Sequence, residues 1–153
     1  MIALSSAHAA ARFLWPEFEE RNGVIVHSGV PTPDLARFQS ASEAEAFYSH
    51  THILLEFRHA IRDVPHPELE DTWIPDSTHP QFALAWSLSQ MTATIWLAKL
   101  RQSFPTHHFR VYCTRLADPV VRFHAVRPSE RPWYTDSEAQ PDVAAGDLRI
   151  LEG

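Results

Sequence analysis

Four residues near the middle of the chain have the types and spacing of a metal site. His52, Glu56, His59 and Asp63 are separated by 4, 3 and 4 positions. On a helix this gathers two imidazoles and two carboxylates within about 60° of one stripe. Such a donor set suits Zn, Fe or Mn. Glu56-x-x-His59 also repeats the spacing used by carboxylate-bridged di-metal bundles. Those bundles need the same motif on a facing helix, and the sequence has no second copy. The stripe is therefore read as a solvated polar face opposite Leu54, Leu55 and Ile61, laced by helix ion pairs. No cofactor is expected. A divalent metal held by His52, Glu56, His59 and Asp63 is the alternative.

Other reactive residues carry less. His107 and His108 are adjacent, so on extended chain their rings point apart. Cys113 is the only cysteine, and it falls on the apolar face of a predicted strand, which describes a packed thiol. There is no G-x-S-x-G, and the four glycines form no phosphate cradle. A more promising set is Arg110, Tyr112, Arg122 and His124, which alternate onto the outer face of a predicted hairpin. Arginine and tyrosine are enriched in protein interfaces. A hydrated sheet face, or one covered by helices, is the competing reading. Trp73, inside an acidic loop, joins these four as a candidate binding surface.

The element that must position these residues is a helix from Pro80 to Phe104. Phe82, Trp86, Ala93, Trp96, Leu97, Leu100 and Phe104 recur at spacings of three and four, and Leu84, Leu88, Met91 and Ile95 widen their face. No charge occurs between Gln81 and Ala98, so this helix is expected to be mostly covered. Its central serines, threonines and glutamine argue against a membrane span of about 20 residues. His79 with Pro80 marks its start and Pro105 its stop.

Two strands follow, Phe109–Thr114 and Val121–Val126, each alternating apolar and polar residues, with turn chemistry at Asp118-Pro119. The connecting loop must hold an odd number of residues if both apolar faces point inward. That face should pack Trp96, Leu100, Val111 and Phe123 together.

Earlier in the chain, Ala3 to Leu14 predicts a short helix ended by Pro16. Asn22-Gly23 predicts a hairpin whose strands should join the later pair in one sheet. Ser40/Glu43 and Ser42/Glu45 both have capping-box spacing and open a second helix reaching about Asp63, with a break near Ser49 as an option. Residues 64–79 read as an irregular, acidic, proline-rich loop, and 128–153 as an irregular acidic tail with an edge strand at Leu148, Ile150 and Leu151.

A chain of 153 residues with 44% hydrophobic content is enough for one domain with its own core. The net charge of −6 argues against a general nucleic-acid binder. A single cysteine suits a reducing cytoplasm, and no basic region precedes the N-terminal apolar residues, so no signal peptide is expected. One lysine, Lys99, against many arginines points to a GC-rich bacterial source. The expected fold is one α+β domain over 1–153: a long central helix and flanking helices packed on one face of an antiparallel sheet of three or four strands. A curved sheet wrapped on the long helix is the runner-up. The expected role is a protein-binding or accessory module whose partner is another protein or its own copy. The alternatives are a metal-dependent enzyme and a small-ligand binder with a pocket lined by Trp86, Trp96 and Phe123.

Overall fold

A computed structural model describes residues 4–60, 78, 80–115 and 118–153. Its centre is α4 (Pro80–Ser103) lying on β4 (Phe109–Thr114) and β5 (Val120–Ala125). β4 and β5 pair antiparallel, with Thr114 opposite Val120 and Val111 opposite Phe123. The loop between them therefore has five residues, the odd number that keeps both apolar faces inward. Phe109, Val111, Cys113, Val121, Phe123 and Ala125 meet Ala93, Trp96, Leu97 and Leu100 in the main core. Strand order in this sheet is β3-β5-β4-β6, where β3 is Thr51–His52 and β6 is Leu148–Glu152. The architecture is the expected α+β domain with its long helix on an antiparallel sheet.

The hairpin forms as its turn residues dictate. β1 (Phe18–Arg21) and β2 (Val24–His27) are joined by Asn22 (φ 53°) and Gly23 (φ 79°), the left-handed pair that a tight two-residue turn requires. It does not join the larger sheet, however, but makes a two-stranded sheet of its own.

The reason lies in α2 (Ala41–Tyr48), which runs between the two sheets. Ser40 caps it, accepting from the Glu43 amide. Ser42 and Glu45, read as a second capping box, do something else. With Ser49 they form a buried polar stripe at helical spacing. Ser49 Oγ accepts from Phe123 N (2.9 Å) and donates to Phe123 O (3.1 Å). Glu45 Oε2 accepts from Ala125 N (2.7 Å) and Oε1 from Ile25 N (2.7 Å). Ser42 Oγ approaches Ala125 O at 3.3 Å. Side chains of one helix thus replace the strand that would otherwise cover the β5 edge. Arg127 closes the Glu45 carboxylate with a two-pronged contact at 2.7 and 2.8 Å, the bidentate geometry that makes such pairs strong.

One choice left open is settled, and two more expectations need correction. The second helix takes the break near Ser49 that its pattern allowed and does not run unbroken toward Asp63. It stops at Tyr48, passes through β3 and restarts as α3 (Ile53–Ala60), because Ser49 turns inward to the sheet instead of continuing the helix. α4 is less covered than its composition implies: Leu84 is 64% and Met91 55% exposed, since the sheet and α1 (Leu4–Leu14) take only part of its circumference. The tail is not irregular from 128 onward, because it holds α5 (Asp136–Ala145) before the edge strand β6. A Thr135/Glu138 capping box starts α5 and Gly146 (φ 78°) ends it, while Pro141 in its middle hides it from a periodicity reading. The loop at 64–79 lies outside the described residues except Thr78.

Candidate functional site

The outer hairpin face is not a surface. Tyr112 and His124 are fully buried beneath α5 and Trp133. The Tyr112 and Trp133 rings meet edge-on at 5.2 Å, and the Arg122 guanidinium sits 4.2 Å over Trp133. His124 is satisfied at both nitrogens, with Nδ1 2.9 Å from Ala125 O and Nε2 2.8 Å from Tyr112 Oη. The first carbonyl demands a proton on Nδ1, so Nε2 accepts from the phenol. Burial lowers the His124 pKa and pushes Tyr112 up to about 12 and Arg122 down to about 10. Arg110 is held by Asp136 (2.9 Å) and Glu152 (2.5 Å). These four residues cement the C-terminal segment to the sheet. Trp73 lies outside the described residues.

The metal stripe is not assembled either. His52 belongs to β3, not to the helix that carries Glu56, and its Nδ1 is 2.9 Å from Asp118 Oδ2. The side chain of His59, and all of Asp63, lie outside what the structure describes. Among the described residues no group of three or more His, Cys, Asp or Glu side chains is placed to hold a metal ion. Cys113 is buried 3.4 Å from Ser89 O, and burial pushes its thiol up to about 12, far from a nucleophile's range.

What the fold does build is an open cleft of about 730 Å³ between α1, the β1–β2 hairpin, the α2–β3 corner and α4. Its back wall is aromatic. Trp96 is fixed by donating Nε1–H to Phe13 O (3.1 Å). The His27 ring stands 4.6 Å from Trp96 and 4.9 Å from Phe18. His27 Nε2 is buried without a hydrogen-bond partner among the described residues, and burial lowers this histidine to about 4. On the rim, His50 stacks on His52 at 4.6 Å. It too is lowered to about 4, first by desolvation and then by Arg122 and His52. Both cleft imidazoles are therefore neutral at neutral pH. That makes them hydrogen-bonding groups and poor general bases, since a useful base titrates near the working pH.

Around the cleft the surface is aromatic and carries charges of both signs. Trp15 is 45% and Phe47 52% exposed. Phe47 packs on Phe38 and Tyr48, each at 5.3 Å, and Tyr48 itself lines the cleft. Glu17 and Glu56 stand on its rim with Arg12. Lys99 reaches Glu17 at 3.0 Å and lies 5.5 Å from the Trp15 ring centre. Trp96 was legible as core from helical spacing. The participation of His27 and His50 was not, because nothing local in the sequence brings the end of β2, the α2–β3 corner and α4 together.

No protein-family model, curated protein or solved structure matches this chain.

Proposed function

We propose that this chain is a protein-binding module, and that its partner docks on the aromatic strip running from Phe38, Phe47 and Tyr48 across the cleft to Trp15. The observation that carries the reading is the open cleft with exposed Trp15 and Phe47 at its margins. Large aromatic side chains dominate interface energetics, and a soluble surface has few other reasons to expose them together. The net charge of −6 favours a partner of positive surface charge. The setting we propose is a bacterial cytoplasm, where a packed, unpaired Cys113 stays reduced. Among the described residues no helix is long and apolar enough to cross a membrane.

Affinity capture from the source organism tests this, comparing the parent with a Trp15→Glu, Phe47→Glu variant. We expect a specific protein to be lost in the variant while its melting temperature holds. Recovery of the same proteins by both removes the reading. A second reading is favoured by the cavity volume, which lies within the roughly 300–1,000 Å³ of small-molecule pockets. Native mass spectrometry of the purified protein separates the two, since a resident ligand would appear as a fixed added mass. Light scattering across concentration decides whether the partner is a second copy.

A further inference from the structure

The two edges of the four-stranded sheet are treated in opposite ways. At the β5 edge, β3 covers Val120 and Val121, and then Ser49, Glu45 and Ser42 take the backbone groups of Phe123 and Ala125. At the β6 edge no strand or side chain gives such cover among the described residues. Gly153 and Phe109 exchange backbone hydrogen bonds in both directions, and Arg115 N donates to Asp147 O at 2.7 Å. Antiparallel pairing alternates, so odd-numbered residues of β6 bond to β4. Leu148, Ile150 and Glu152 turn their N–H and C=O groups outward, where the strand order ends. A chain that caps one edge group by group and leaves the other open presents that other edge for strand addition.

The chemistry beside the open edge states what it takes. On the α4 side, Arg149 donates to Gln90 (2.9 Å). A few residues on, a pocket of about 500 Å³ is lined by Arg101, Gln102, Pro105, His107, His108 and Gly153. Neither Arg149 nor Arg101 has an acidic partner among the described residues, whereas Glu152 on the opposite face is already paired with Arg110. One face of the edge is thus cationic and unpaired, and the other is neutralised. We infer that β6 accepts an extended strand of another protein that carries acidic side chains on the face shared with α4, one of them seated at Arg101. A second copy is the poorer occupant. A two-fold pairing through β6 would put both Arg149 side chains on the same face and close together.

The test uses the whole chain and two acetylated octapeptides, alternating Glu-Val and alternating Lys-Val. We expect the Glu-Val peptide to bind and to slow amide exchange at Leu148, Ile150 and Glu152. The Lys-Val peptide should bind at least ten-fold more weakly. Ile150→Pro removes the central outward N–H without touching the β4 ladder, and should abolish the protection. If that variant melts early, Arg101→Glu with Arg149→Glu replaces it and should reverse the preference between peptides. No binding at millimolar peptide, protection that falls elsewhere, or equal affinity for both peptides overturns the inference. Protection of the same amides without peptide, in a dimer, overturns the choice of partner.

Discussion

The seam that joins the two sheets and the cleft beside it are both polar regions next to the core, yet they are finished differently. In the seam, both oxygens of the buried Glu45 carboxylate are occupied, by the amides of Ile25 and Ala125 and by Arg127, and the hydroxyl of Ser49 serves both backbone groups of Phe123. In the cleft, His27 Nε2 is buried with no hydrogen-bond partner among the described residues. Leaving such a group unpaired costs about 1–3 kcal/mol. The comparison teaches where this chain has been built for stability and where it tolerates a cost. Other buried atoms without a partner among the described residues belong to Thr92, Arg115, Asp118 and Arg122, outside the cleft lining, so the cleft is set apart by its open volume and the exposed Trp15 beside His27, not by an unpaired nitrogen alone.

Breaking the seam should give the largest effect. Glu45→Ala strips a buried partner from Arg127, whose charged form that carboxylate sustains, and orphans two amides. Loss of one member of a buried pair is typically worth about 3–5 kcal/mol, to be read from urea unfolding. A loss below about 1 kcal/mol would mean that water enters the seam, and the contrast with the cleft would disappear.

The next effect is a pH dependence that belongs to the cleft. The folded-state value of His27, about 4, lies below the ordinary 6.5. Between these values the unfolded chain binds the extra proton. Stability associated with the neutral ring is complete above pH 6.5 and is lost as pH falls toward 4, by about 3 kcal/mol in all. His50 acts in the same direction, but its exposure leaves its share small. His27→Phe should remove the larger part of the slope and, at pH 7.5, leave stability within about 1 kcal/mol of the parent, because an unpaired nitrogen is exchanged for apolar surface. An unchanged slope in His27→Phe would place the titration elsewhere.

The smallest of the three sharpens the seam. Ser49→Ala leaves the Phe123 N–H and C=O without their side-chain partner, for a cost of about 1–3 kcal/mol. Exchange at the Phe123 amide should accelerate more than at Val121, which β3 still covers. Equal acceleration at both would show that β3 and Ser49 come away together.

Much of the fold was legible because it rests on local rules. The period of α4, the alternation in β4 and β5, the odd loop between them and the Asn22-Gly23 turn all follow from neighbours in sequence. Each was found where it was expected. α5 was not legible, although Thr135-x-x-Glu138 is a capping signal, because Pro141 and a polar composition argue against a helix whose only fully buried residue is Ala139. Ser42 and Glu45 were legible as a pair but not in their role. Capping-box spacing and a stripe on one helix face use the same three-residue step, and only the neighbour across the gap tells them apart.

By itself, then, the sequence determined the elements whose apolar residues are periodic, α4, β4 and β5 above all, and the side of those strands that faces the core, since hydrophobic periodicity records how each segment meets water. The tertiary structure alone decided which polar side chains are inside. Tyr112 and His124 alternate like surface residues and become interior only because the chain returns to lay α5 and Trp133 on them. His27 looks like the end of a strand, and its nitrogen is sealed only because Trp96 and Phe18 arrive from other elements. Burial of a polar group is a property of what packs over it, and nothing in the residue or its neighbours along the chain encodes that.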